Sequence, residues 1–172
     1  MNSLEWARTL ARYNRWMNER LYPLCAGLSD EERKRDRGAF FRSIHGTLNH
    51  LLLADRIWLG RFTGAPFAVT SLDQELYADF AELRREREKT DGAIDVWAAS
   101  LSAADLAGTL HYTSIVNPAP RSLPFWLATA HFFNHQTHHR GQLTTLLTQV
   151  GIDPGVTDLM WLPEPRRPGG ET

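Results

Sequence analysis

Four long stretches in which apolar residues return every three or four positions, with no sustained strand-like alternation between them, predict an all-α protein built as a four-helix bundle. The chain has 172 residues, of which 42% are hydrophobic and 23% charged. That is the length of one ordinary domain with enough apolar content for a single core. We expect one domain over residues 1–165 and a flexible tail at 166–172.

The first helix is expected over residues 4–24, where Leu4, Ala7, Leu10, Ala11, Tyr13, Trp16, Met17, Leu21 and Leu24 follow the helical repeat and Pro23 and Gly27 close it. Ser29 to Glu32 reads as a capping box opening a short turn, followed by a solvated basic connector at 33–37. The second helix is expected over residues 40–62. Ile44, Leu48, Leu51, Trp58 and Phe62 form one stripe, and Leu53, Ala54 and Ile57 a second beside it. A helix apolar over so much of its circumference belongs at the centre of a bundle. A second capping-box pattern, Ser71 to Gln74, is expected to open the third helix, which runs to Leu101 with a charged solvent face at 82–89. The β-branched residues and prolines of 110–120 predict a short extended excursion. The fourth helix is expected from Ser122, with Pro124 in its first turn, to Gly151.

Composition excludes several function classes. A formal net charge of −1 offers no electrostatic basis for nucleic-acid or membrane-surface binding. No apolar run reaches the ~18 residues of a membrane span, and the first ten residues lack an apolar core of signal-peptide length. The single cysteine, Cys25, reads as a small buried residue near a helix end and fits a reducing compartment. A cytoplasmic protein is expected.

Three of the seven histidines fall within residues 134–142, and His131 lies one turn upstream. Ala128, Phe132, His135, His139, Leu143, Leu146 and Val150 make one core-facing stripe with two imidazoles in its middle. Burying a polar group without a partner costs roughly 1–3 kcal/mol, so two imidazoles on adjacent turns point to a shared metal ion. His131 and His138 fall off the stripe and flank it. The third ligand has two candidates on the second helix. Helical-wheel arithmetic places His45 about 40° from the polar Asn49, and His50 about 100° from it beside Leu53, Ala54 and Ile57, so His50 is expected to be the better buried. His111 reads as a loop histidine.

Competing motifs fail on specific residues. His135 and His139 have the spacing of HExxH, but Gln136 stands where that motif needs its glutamate base. Glu-x-x-His pairs of a di-iron bundle and the Gly-x-Ser-x-Gly elbow of α/β hydrolases are absent. A neutral three-histidine site remains, and three protein ligands leave one coordination position open, as catalytic zinc sites do.

Residues 43–58, with Asn-His-Leu-Leu-Leu-Ala-Asp at 49–55, and 134–142, with His-Gln-Thr-His-His-Arg-Gly-Gln, resemble the DinB-like family of metalloproteins. The segments at 13–18 and 151–154 also resemble that family's opening and closing segments. The resemblance implies a four-helix bundle in up-up-down-down order and a homodimer. It also implies a divalent metal, zinc or nickel, held by His50, His135 and His139, and it includes thiol-dependent S-transferases among the relatives. A metal-dependent thiol S-transferase or hydrolase using a low-molecular-weight thiol is therefore expected. Asp55 and Arg140 would orient the site, touch substrate or form a salt bridge near it. The alternative is a non-catalytic, metal-stabilised dimeric helical module.

Overall fold

The computed structural model describes residues 3–115 and 118–164. Four long helices, α1 (Ser3–Ala26), α3 (Ile44–Thr63), α4 (Phe80–Ser100) and α6 (Phe125–Gln149), form the bundle. Short helices α2 (Asp30–Lys34) and α5 (Ala103–Ala107) and a hairpin of β1 (Thr109–Thr113) and β2 (Pro120–Pro124) occupy the connections. The tail assigned to 166–172 lies outside the described residues.

Side-chain contacts along the helices give their directions. Arg8 reaches Ala99, Asn14 reaches Asp91 and Tyr22 stacks on Phe80, so α1 and α4 are antiparallel. Asp55 pairs with Arg87 and Phe62 stacks on Trp97, so α3 and α4 are parallel. His50 meets His139 and Phe62 meets Phe125, making α3 antiparallel to α6. Trp6 meets Phe133 and Asn14 meets Arg140, making α1 parallel to α6. The order is thus up-down-down-up, which corrects the up-up-down-down order implied by the resemblance. The physical reason is the segment 64–79. Helix α3 has 20 residues, about 30 Å, and this segment carries the chain back along that length so that α4 starts at the same end.

That return segment also corrects the expected start of the third helix. Gln74 folds back onto Thr70, accepting from its backbone N–H and its hydroxyl. The backbone beyond bonds to α3: Asn49 Oδ1 accepts from the N–H groups of Leu76 and Tyr77, and Asn49 Nδ2 donates to the Tyr77 carbonyl. Backbone groups satisfied by side chains have no need of a helix. Helix α4 begins only at Phe80, where the Asp79 carboxylate caps the N–H of Glu82.

The second helix begins at Ile44, not at residue 40, because Ser43 is its cap and Arg42 before it has φ 63°. A left-handed residue cannot continue a helix. The fourth begins at Phe125, because residues 120–124 pair with β1 in register Thr109↔Pro124 to Thr113↔Pro120. Pro23 lies inside α1 and does not end it. The α5 turn, capped reciprocally by Ser102 and Asp105, was not expected.

The core has two apolar ends. Met17, Leu21, Ile44, Leu48, Leu52, Leu83, Leu143 and Leu147 fill one, with Cys25 fully buried among them. Ala7, Ala11, Ile94, Trp97, Phe132 and Phe133 fill the other. Between them all four helices contribute buried polar side chains: Asn14, Asn18, Asp55, Arg87, Asp91, Gln136 and Arg140.

Candidate metal centre

The structure brings His50, His135 and His139 together, one ring nitrogen of each lying within 4.8 Å of the others. The Nε2 atoms of His50 and His135 are 3.4 Å apart and those of His139 and His135 3.1 Å. Two ligands at roughly 2.0–2.1 Å from one tetrahedral ion would be about 3.4 Å apart, so the trio has the span a single ion needs.

Tautomers explain why these nitrogens face one another. His50 Nδ1 lies 2.9 Å from the Leu72 carbonyl on the return segment, and His139 Nδ1 2.8 Å from Gln142 Oε1, one turn along α6. Both partners are acceptors, so each Nδ1 carries the proton and each Nε2 presents a lone pair. Two lone pairs therefore converge on His135 Nε2. Oxygen partners on the far nitrogen are how proteins fix metal-binding imidazoles. Burial keeps all three rings neutral: it depresses the His50 pKa to about 4 and, with His139 and His50 adding to it, that of His135 to about 3. The His139 pKa is lowered as well, chiefly by burial.

The loop before α3 closes one side. Phe41 stacks on His50 with ring centroids 3.7 Å apart and meets His139 edge-on at 5.3 Å. The left-handed Arg42 turns the chain so that Phe41 lies back over α3. Gly46 makes room, because a Cβ there would come within 2.2 Å of the Phe41 carbonyl oxygen. A cavity of about 580 Å³ opens beside the trio, walled by Phe40, Phe41 and Leu72 with Asp73, His138 and Gln142 at its edges.

The expected relation between the two α3 histidines changes. His45 is as buried as His50 (1% and 5% exposed), so burial does not separate them. Direction does: His45 Nε2 lies 2.9 Å from the Tyr77 carbonyl, facing the return segment. On α6 the innermost line runs through Phe132, Gln136, Arg140 and Leu143, and His135 is half-buried at its edge. Gln136, in the position of the HExxH glutamate, turns away from the trio and donates to Asp55 Oδ1 at 3.0 Å. Asp55 pairs with Arg87 at 2.6 Å, and Arg140 donates to Asn14; neither bonds to a histidine of the trio. His131 and His138 are exposed at the flanks, and His111 is exposed on β1, bonded to Ser122.

Sequence reasoning missed Phe41, the Leu72 carbonyl and Gln142. Only Gln142 carried a signal, since it lies three residues after His139 on the same helix face.

The DinB family model matches residues 1–170. The chain belongs to the DinB family. Among relatives, "Protein DinB" of Bacillus subtilis (strain 168) is 25% identical over 157 residues, covering 90% of this chain and 91% of that protein. A crystal structure of a DinB-like protein from Bacillus cereus ATCC 10987 superposes with a TM-score of 0.59 at 22% identity, covering 81% of this chain and 90% of that one. At that identity the match supports the bundle alone. Among the described residues no helix is long and apolar enough to cross a membrane.

Proposed function

We propose that this DinB-family chain holds a divalent metal ion, zinc or nickel, on His50, His135 and His139, and that the open side of the trio carries out thiol S-transfer or a related metal-dependent reaction. The observation behind this reading is the convergence of three Nε2 atoms, two of which present lone pairs fixed by acceptors on the opposite ring nitrogen. Without a cation, His135 Nε2–H donates to the His139 lone pair at 3.1 Å; with one, the three rings become three neutral ligands, leaving a further position for a small molecule.

When bound, such an ion acts as a Lewis acid that lowers the pKa of a thiol or water at its open position. The chain's own residues do the rest. Leu72 and Gln142 hold the imidazoles in register. Phe40, Phe41 and Leu72 give the adjoining cavity apolar walls. His138 stands on the rim of that cavity, its ring 4.7 Å from that of His139 and its Nε2 3.4 Å from the Gln142 amide nitrogen. The resemblance also supports a homodimer, which light scattering on the purified protein would check.

Elemental analysis of the purified protein tests the metal, and a thiol-acceptor assay tests the chemistry. We expect about one equivalent of metal per chain and none in His135→Ala. Full occupancy in that variant would sink the ligand assignment. Metal binding with stabilisation but no turnover of any thiol acceptor would favour the non-catalytic module instead.

A further inference from the structure

A second, smaller cavity of about 200 Å³ adjoins the trio on the side away from His138, and His50, His135 and Leu72 border both. Its charged residue is Arg61, in the last turn of α3. The guanidinium carbon of Arg61 lies 4.5 Å from the Trp58 ring and 4.4 Å from the Tyr112 ring, gripped between an α3 side chain and the β-hairpin. Trp58 in turn packs on His131, with ring centroids 4.9 Å apart, and His131 approaches His135 at 5.8 Å.

Two aromatic faces hold the plane of a guanidinium but satisfy none of its five N–H donors. Among the described residues no carboxylate pairs with Arg61. Elsewhere on the same helix Arg56 reaches Glu86, Thr90 and the Tyr77 hydroxyl. Burial is costly to Arg61 and is the main cause that lowers its pKa from the usual arginine value. A partly desolvated cation without a counter-ion is a ready site for an anion. The larger cavity is the opposite case: its one carboxylate is Asp73, and no lysine or arginine lines it.

We infer that Arg61 is the carboxylate-binding residue for the small molecule that reacts at the histidine trio, with His131 beside it, so that the ligand lies with its acid group toward the β-hairpin and its reacting atom at the histidines. One guanidinium matches the single charge of a carboxylate better than the double charge of a phosphate monoester. The ligand class is a short carboxylic acid carrying a thiol or other donor, and any apolar extension passes into the cavity walled by Phe40 and Phe41. This assignment rests on the trio holding a metal ion.

The test uses cobalt(II)-loaded protein and two probes, 3-mercaptopropionate and its neutral amide, titrated while the thiolate-to-cobalt charge-transfer absorption is followed. The acid should bind at least tenfold more tightly than the amide to the wild type. Arg61→Gln should bind both alike, and Arg61→Lys should keep part of the preference, all three holding equal cobalt. Equal binding of acid and amide by the wild type, a preference surviving in Arg61→Gln, or cobalt uptake with no thiol signal at all would overturn the role of Arg61 while leaving the metal site standing. A wild type that takes up no cobalt would sink the metal reading, and the role of Arg61 with it.

Discussion

Two clusters of buried polar side chains lie side by side in this bundle, and they differ in one respect. In the layer between the apolar ends, opposite charges meet: Arg87 touches Asp55 at 2.6 Å and Asp91 at 2.9 Å, and Asn14 and Asn18 donate to Asp91. In the histidine trio, like groups meet: Nε2 faces Nε2. The first cluster answers its charges with its own residues, although Arg87 Nε, Gln136 Oε1 and Arg140 Nε are left without a hydrogen-bond partner among the described residues, whereas the second brings neutral imidazole nitrogens face to face. Buried polar groups that answer one another hold a fold together; those that converge without an answer mark a place for a ligand. The two are joined at α6, where His135 faces the trio and its neighbour Gln136 binds Asp55.

The largest expected effect breaks the charged layer. Arg87→Met leaves Asp55 and Asp91 buried without their cation, and removing one partner of a buried pair costs about 3–5 kcal/mol. Burial raises both carboxyl pKa values against the pull of Arg87, and without Arg87 they should rise further. Denaturant unfolding reads the loss; less than 1 kcal/mol would mean the layer contributes little.

The trio should behave oppositely. His135→Ala should leave metal-free stability at pH 7 within about 1 kcal/mol of wild type, since His135 is half-buried and neutral and its loss strands no charge. The wild type should gain about 2.7 kcal/mol from metal at a hundred times its dissociation constant. A melting scan with metal and with chelator measures both, and an equal response in His135→Ala would erase the distinction between the clusters.

Acid sharpens the comparison. His50 and His135 have folded-state pKa values of about 4 and about 3, below the ~6.5 of an unfolded histidine. Below pH ~6.5 the unfolded chain takes up protons that the folded trio refuses, so their contribution is whole above ~6.5 and is lost as pH falls toward 4 and then 3. The difference between the wild type and His135→Ala isolates the His135 part of this effect, because His50, Asp55 and Asp91 titrate in both. A difference in stability independent of pH between 7 and 4 would contradict neutral burial of His135.

The smallest effect is at the lid. Phe41→Ala removes the ring stacked on His50 and should cost about 1 kcal/mol, with faster metal exchange as His50 becomes accessible. Unchanged exchange with a chelator would show that Phe41 does not cover the site.

By itself the sequence determined the helical class, the shared face of His135 and His139 on the fourth helix, and, through the motif at 49–55, the candidate that joins them. Those features are written in short-range spacing, which a helix turns directly into shared faces. Tertiary structure alone decided the up-down-down-up order, because loop residues at 64–79 carry no periodic signal of how far they travel. It also decided that Asn49 and His45 are buried rather than solvent-facing, since the backbone that satisfies them arrives from Leu76 and Tyr77. The pairing of Asp55 with Arg87, 32 residues away, is of the same kind. So are the proton positions in the trio, which depend on a carbonyl 22 residues from His50. Spacing names which residues can share a face; only packing across elements determines whether a buried polar group finds its partner within the protein or is left to take one from solution.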